Sequence, residues 1–267
     1  MSARHGAFTL VEMVVVLTIS VVIVGFIATV IGVPVQARQA QSRRSELAGS
    51  AEAVAHWVSQ DVRGALPNSV RVGAVGGRPV VEMIDPAAAV IYRDAGAEGD
   101  TLIFTAPDNQ FDILGLPVAA THVVVNNLGT AGRNAYAMAN VIAPANINVA
   151  SSTVALTPAF RFAAASPNRR AFLVSPASAV VRYECDLAAR TLRRYDSRPI
   201  AAAIAAMPAG TPSRLIARDV TGCTFTRRAG NTEHGGMLLM QVTISRVTNG
   251  ATETLRVMKQ LKVEDAA

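Results

Sequence analysis

Between Met13 and Val35 no side chain carries a charge, and Val14, Val15, Val16, Leu17, Ile19, Val21, Val22, Ile23, Val24, Phe26, Ile27, Val30 and Ile31 supply the bulk. A run without a polar face predicts a helix that is apolar all round, which belongs in lipid or in a large core. Counted from Phe8, the stretch is about 28 residues, or about 40 Å as a helix, against a bilayer core of about 30 Å. A buried helix of a soluble protein seldom runs so far without a polar side. A secretory signal peptide would carry an apolar region of about 7–15 residues and a small-x-small cut site. This run is longer, and the nearest approach to such a site is Val33-Pro34-Val35-Gln36-Ala37.

Past Pro34 the chain turns polar, with Gln36, Arg38, Gln39, Gln41, Ser42, Arg43 and Arg44. Leu47, Ala51, Val54, Val58, Val62 and Ala65 or Leu66 then recur at three- and four-residue steps, which predicts a helix with one apolar face. Pro67-Asn68-Ser69 ends it. As one helix, Phe8 to Leu66 would be roughly 90 Å long, with Gly32 and Pro34 bending or loosening it. On this stretch Trp57, the single tryptophan, reads as a packing or interface residue and His56 as solvated. Arg38, Arg43 and Arg44 suit either a solvated face or anionic headgroups just beyond a membrane.

From Ser69 the signals become short β-prone runs and turns. Val70-Arg71-Val72, Val80-Val81-Glu82-Met83, Val90-Ile91-Tyr92 and Thr101-Leu102-Ile103-Phe104 are such runs. Val123-Val124-Val125 stops at the turn signal Asn126-Asn127. Ala171-Phe172-Leu173-Val174 is followed by Val180-Val181-Arg182-Tyr183-Glu184-Cys185, which can pair as a hairpin with Thr191-Leu192-Arg193-Arg194-Tyr195. Two alternating runs flank Thr248-Asn249-Gly250, a strong hairpin signal. Residues 131–167 and 199–212 read as loops rich in Ala, Asn and Pro. The expected fold is therefore α+β, with the long N-terminal helix packed on an antiparallel β-sheet head.

Charge adds a direction. Arg4 and His5 precede the apolar run, so the positive-inside rule puts the N-terminus in the cytoplasm and the remaining ~230 residues outside, in a periplasm where there are two membranes. Cys185 and Cys223 both fall in that exported part, where an oxidising compartment favours a disulfide between them. The net charge of +6 is carried almost wholly by Arg, the only lysines being Lys259 and Lys262. Arg193-Arg194 and Arg227-Arg228 are local candidates for nucleic acid, but no aromatic platform or nucleic-acid motif accompanies them.

Conventional chemistry is sparse. His5, His56, His122 and His234 stand in no metal-ligand spacing, and no nucleophile elbow or phosphate loop occurs. Asp108-Asn109-Gln110-Phe111-Asp112 has a faint calcium-loop look, but its spacing does not continue and a solvated turn fits better. The acidic group of Asp94, Glu98 and Asp100 reads as a loop. No cofactor and no catalytic residue is expected.

Glu12 is the exception to the apolar run. An ionised carboxylate near the start of a lipid-crossing helix costs on the order of a few kcal/mol and needs a partner. Ala7-Phe8-Thr9-Leu10-Val11-Glu12, behind a short basic leader, resembles the class III signal of type IV pilins and pseudopilins. In that family a prepilin peptidase cuts before the apolar helix and methylates the new N-terminus, and the fifth mature residue is Glu. A cut between Ala7 and Phe8 makes Glu12 that fifth residue and Phe8 the methylated one. Ala7 stands where Gly is usual, and a cut after Gly6 would make Glu12 the sixth. The resemblance implies that Glu12 meets the freed amine on Phe8 of its own or a neighbouring subunit.

Several head segments resemble minor pilins of the MshO type, from mannose-sensitive haemagglutinin (MSHA) pili. They are Asp61-Val62-Arg63-Gly64-Ala65-Leu66-Pro67-Asn68-Ser69-Val70-Arg71, Phe111-Asp112-Ile113-Leu114-Gly115, Asn126-Asn127-Leu128-Gly129, Arg170-Ala171-Phe172-Leu173-Val174 and Val180-Val181-Arg182-Tyr183-Glu184-Cys185. The resemblance implies a leader over 1–7, a transmembrane assembly helix over 8–35, its amphipathic continuation over 36–67 and a periplasmic β-rich head over 68–267. It implies a non-catalytic subunit that helps initiate or tip a pilus. Its partners would be prepilin peptidase, other minor pilins, the major pilin and an inner-membrane assembly platform. Minor pilins of twitching pili and the J-type pseudopilin of type II secretion share this plan. A single-pass membrane protein with an enzymatic or sensing periplasmic head is the alternative of another class.

Overall fold

The computed structural model describes residues 9–94, 96, 98–230, 236–248 and 251–264, without the side chains of 28–40, 248 and 251. The chain divides into two units, Met1–Gly49 and Ser50–Ala267.

Helix α1 (Leu10–Gly64, 55 residues) begins in the first unit. Thr9 caps it. Glu12 donates its N–H to Thr9 Oγ1 at 3.3 Å and to Thr9 O at 3.1 Å. The Thr-x-x-Glu spacing is that of a capping box, so the helix starts where a side-chain oxygen can satisfy its open donors. Residues Leu10–Ile27 form a segment long and apolar enough to cross a membrane, and none of it is buried in the protein. Leu10 is 82% and Val21 72% exposed. The helix continues through Gly32 and Pro34, so neither ends it.

The last turns of α1 lie in the second unit. There Ala51, Val54, Val58 and Val62 are buried, as their spacing requires. The strands that follow are all antiparallel. A five-stranded sheet runs β1 (Arg71–Val75), β2 (Arg78–Ile84), β9 (Val180–Asp186), β10 (Thr191–Arg198), β11 (Arg214–Arg218). A three-stranded sheet runs β12 (Val220–Arg228), β13 (Gly236–Thr248), β14 (Ala251–Val263). Between β2 and β9 in sequence lie β3 (Ala88–Tyr92), β4 (Asp108–Leu114), β5 (His122–Val125), β6 (Ile142–Asn148), β7 (Thr153–Phe160) and β8 (Arg170–Val174). They close into a barrel in the order β3-β4-β7-β6-β5-β8.

This architecture corrects the α+β expectation of one antiparallel sheet covered by a long helix. The described chain is mostly strand, and its barrel is filled by its own side chains, among them Tyr92, Phe111, Ile113, Val123, Val154, Phe162 and Leu173. Among the described residues, none of α1 belongs to that core. Strands β5 and β8 serve two cores at once. Val123, Val125, Ala171 and Leu173 point into the barrel, while Val124, Phe172 and Val174 join Leu66, Ile84, Ile142 and Val180. Side chains of a strand alternate faces, so strands buried on both sides read as unbroken apolar runs.

Individual elements also differ from expectation. Residues 131–167, expected as loop, carry β6, β7 and a short 3-10 helix at Ala135–Ala137. Thr101-Leu102-Ile103-Phe104, expected as a strand, lies outside any strand, and β4 follows it at Asp108. The hairpin of β9 and β10 forms as read, as does that of β13 and β14. Asn249 and Gly250, its turn signal, lie outside the described residues.

Candidate functional site: the exit of the helix

The segment leaving α1 is held from every side by polar side chains of the second unit. Asp61, on the last turn of α1, accepts from Arg194 Nε at 2.7 Å and Nη2 at 3.2 Å, and from the Tyr183 hydroxyl at 2.5 Å. Burial, and then the hydrogen bond to Asp61, push the Tyr183 phenol well above its ordinary pKa, so it stays neutral and donates. Burial opposes the charge on Arg194, but Asp61 outweighs it and the guanidinium is held more firmly protonated. Trp57 is flanked by the guanidinium groups of Arg214 at 4.8 Å and Arg194 at 5.8 Å from its ring centre. Its reading as a packing residue fits these two cation–ring contacts.

Four residues further on the backbone turns sharply. Leu66 donates its N–H to Ile84 O at 2.8 Å, and Ser69 Oγ accepts from Ile84 N–H at 3.1 Å. Asn68 takes a left-handed conformation (φ 59°), which Asn tolerates better than most residues. Its amide Nδ2 donates to Asn127 O at 2.9 Å and its N–H to Glu264 O at 3.0 Å. Asn127, 4% exposed, answers by donating Nδ2 to Pro67 O at 2.7 Å while its Oδ1 accepts from Ala135 N–H at 2.9 Å. Gly129 is required beside it, since a Cβ there would lie 3.0 Å from Asn68 O at a backbone φ of +67°. Replacing Asn127 by alanine leaves Pro67 O and Ala135 N–H without those partners. It is expected to cost about 1–3 kcal/mol in chemical denaturation, with the loss appearing as faster amide exchange at Ala135.

Beneath this turn a ladder of charges crosses β1, β2 and β9. Arg71 donates to Glu82 Oε2 through Nε at 3.0 Å and Nη2 at 2.7 Å, and its guanidinium sits 3.6 Å over the Tyr136 ring. Arg182, 1% exposed, is paired with the other oxygen of Glu82, its Nε donating at 2.5 Å. Arg182 Nη1 lies 3.6 Å from Glu184, which accepts from Arg78 at 3.2 Å, and Arg78 reaches Asp186 at 2.8 Å. Alternate residues 182, 184 and 186 share one face of β9, so three charges line up where two-residue periodicity puts them. Arg71 also donates to Ala201 O and Ala202 O, tying the 199–212 segment over the ladder. One residue pair on the strands fixes the sheets together. Cys185 on β9 and Cys223 on β12 form a disulfide, with Cα atoms 6.4 Å apart.

Four of the five head segments that stood out in the sequence meet around this exit. Asp61 through Arg71 forms it, Asn127 and Gly129 pin it, Arg182 and Tyr183 anchor it, and Arg170 reaches Glu264 at 2.5 Å beside it. The fifth, Phe111 through Gly115, lies in and after β4 of the barrel. The arrangement offers paired, mutually neutralised charges and fixes backbone geometry.

Other candidates resolve differently. Asp108 and Asp112 lie in β4, in neither a calcium loop nor a solvated turn. Asp108 accepts from the N–H groups of Ile103 at 2.8 Å and Gln110 at 3.2 Å, and Asp112 from Asp100 N–H at 3.0 Å. Arg194 is committed to Asp61 and Asp196, which removes half of one proposed nucleic-acid patch. Glu12 is exposed in the first turn of α1. Ala7 and Phe8, the expected cleavage pair, lie outside the described residues, as do His5 and His234. The charge ladder was missed in the sequence. Its signal was the alternation Arg182-x-Glu184-x-Asp186 in an otherwise apolar strand. No protein-family model, curated protein or solved structure matches the chain.

Proposed function

We propose that this chain is a non-catalytic filament subunit, a minor pilin or pseudopilin, that is held in a membrane by residues 8–35 until it is drawn into an assembly. The observation that carries this reading is Glu12, a single carboxylate on an apolar span of which the described stretch Leu10–Ile27 is not buried within the protein. Uncovered apolar surface of that extent calls for lipid or for other subunits. A carboxylate inside it calls for a cation, because attraction between opposite charges strengthens as water is removed. Cleavage between Ala7 and Phe8 would supply that cation as the new amine of Phe8. The same geometry gives a reason for the rigid exit, since pull applied to a helix reaches the head only through fixed contacts.

Within this reading the head segments favour the MshO type of MSHA pili, ahead of twitching-pilus minor pilins and the J-type pseudopilin. The leader charge favours a cytoplasmic N-terminus and a periplasmic head in an inner membrane. Prepilin peptidase, other minor pilins, the major pilin and an assembly platform are the proposed partners.

Changing Glu12 to Ala tests the role of the carboxylate. The variant is expected to be made and processed normally but to drop by about tenfold or more from sheared surface filaments, the equivalent of about 1.4 kcal/mol per tenfold. Wild-type incorporation by the variant would remove the basis for the charge pairing.

A further inference from the structure

Among the described residues, β14 ends the three-stranded sheet with one side unpaired by any strand. β14 is 13 residues long, against a common strand length of about 5–6 residues. Ser245 of β13 gives its N–H to Asp219 O at 2.8 Å, toward the β12 side. Backbone groups alternate sides along an antiparallel strand, so the even-numbered residues of β13 face β14. Ile244 opposes Leu255 and Met240 opposes Lys259, so odd-numbered residues of β14 are taken up by β13. Thr254, Arg256, Met258, Gln260 and Lys262 turn their N–H and C=O groups outward. Beyond them Glu264 O, on the same side, is met by Asn68 N–H at 3.0 Å. The open length from residue 254 to 262 is roughly 27 Å at about 3.4 Å per residue.

This edge borders a groove. One hollow of about 460 Å³ is walled by Glu52, His56, Ser59, Gln60 and Arg63 of α1 and by Lys259. A second of about 410 Å³ adjoins it through Arg63 and Lys259 and extends to Lys262 and Glu264. Arg63, Arg256, Lys259 and Lys262 therefore surround an open strand edge, and among the described residues none of the four is paired with a carboxylate. Both lysines of the protein are here.

We propose that the open edge of β14 accepts an extended, acidic strand of a different protein, which adds beside α1 as a fourth strand of this sheet. Main-chain hydrogen bonds from the alternate outward residues supply affinity in such strand addition, and side-chain pockets supply selectivity. The cations choose the partner. A second copy laid on this edge would bring Arg256, Lys259 and Lys262 against their own counterparts, and like charges across strands repel. Lysines on an edge guard it against indiscriminate pairing, and an acidic strand turns that guard into attraction. This inference stands apart from the filament reading, because it uses only residues of the second unit.

Full-length protein in detergent micelles is the material for the test. The probe is an end-capped peptide of alternating Glu and Val, of about ten residues to match the edge. Its N-methylated form and a Lys-for-Glu form are the controls. The acidic peptide is expected to slow amide exchange at Thr254, Arg256, Met258, Gln260 and Lys262, and not at the odd residues between them. N-methylation should abolish this. The double variant Lys259→Glu, Lys262→Glu should weaken the acidic peptide by about tenfold or more and admit the Lys peptide instead, which shows that the variant is folded. Failure of the acidic peptide to protect those amides at about 1 mM would overturn the proposal. So would protection that rises with protein concentration alone, which would mean a second copy.

Discussion

Replacing Glu82 with alanine is expected to cost the head about 3–5 kcal/mol, a large share of the roughly 5–15 kcal/mol that holds a typical domain folded. Glu82 is 3% exposed, and each of its oxygens serves a different arginine, Arg71 on β1 and Arg182 on β9. Truncation leaves Arg182, itself 1% exposed, with Glu184 as its remaining carboxylate neighbour at 3.6 Å. A charge stripped of its partner inside a protein keeps its desolvation cost and loses its compensation. The magnitude therefore measures a stranded cation more than the worth of the pair. A double variant separates the two. Glu82→Leu with Arg182→Met removes both charges, and most of the stability should return, because well-packed apolar groups often replace a buried pair without loss. Urea denaturation of the single and double variants reads this directly. Equal losses in both would show that the ladder stabilises by its own attraction.

Changing Cys185 and Cys223 together to serine is expected to cost about 4 kcal/mol in the chain-entropy account, for a sequence separation of 38 residues. At about 2–4 °C per kcal/mol for a head of this size, the melting midpoint should fall by roughly 10 °C. The bond joins the five-stranded sheet to the three-stranded one, so the effect should concentrate on β12 to β14. Reduced wild-type protein should melt with the variant. A variant that melts with the oxidised protein would show that the two sheets hold together without the bond.

How much of this could be read in advance depended on which forces leave a local trace. Residues 13–27 announce themselves because lipid demands apolar side chains in every direction, and no other constraint writes so long a run. The β13 and β14 hairpin was visible because Asn249-Gly250 and two-residue alternation agree. The barrel was not. Its strands are four to eight residues long, and β6 and β7 carry Pro144, Asn146 and Pro158, residues that read as loop. Nothing local tells β5 that it pairs with β6 and β8, because closure is set by contacts far apart in sequence. The same holds for the exit. Asn68 and Asn127 each look like turn residues, and only the fold makes them partners 59 residues apart. Asp61 stood in the sequence only as the start of a segment resembling minor pilins. Its meaning comes from Arg194, 133 residues away. Paired charges on β9 were diluted among apolar neighbours and read simply as part of a strand.

These observations join into one picture. A capped apolar span begins at Thr9 and holds a carboxylate at Glu12, and the far end of the same helix is gripped by Asp61, Asn68 and the charges below them. The grip lies where buried ion pairs and side-chain amides replace water, which strengthens each hydrogen bond within it.

The mass of the N-terminal peptide, taken from membranes of cells with and without prepilin peptidase, tests the filament reading most directly. That reading predicts a chain beginning at N-methylated Phe8 when the peptidase is present, and an intact Met1 or Ser2 start when it is absent. A chain that keeps residues 1–7 in the presence of an active peptidase would contradict it.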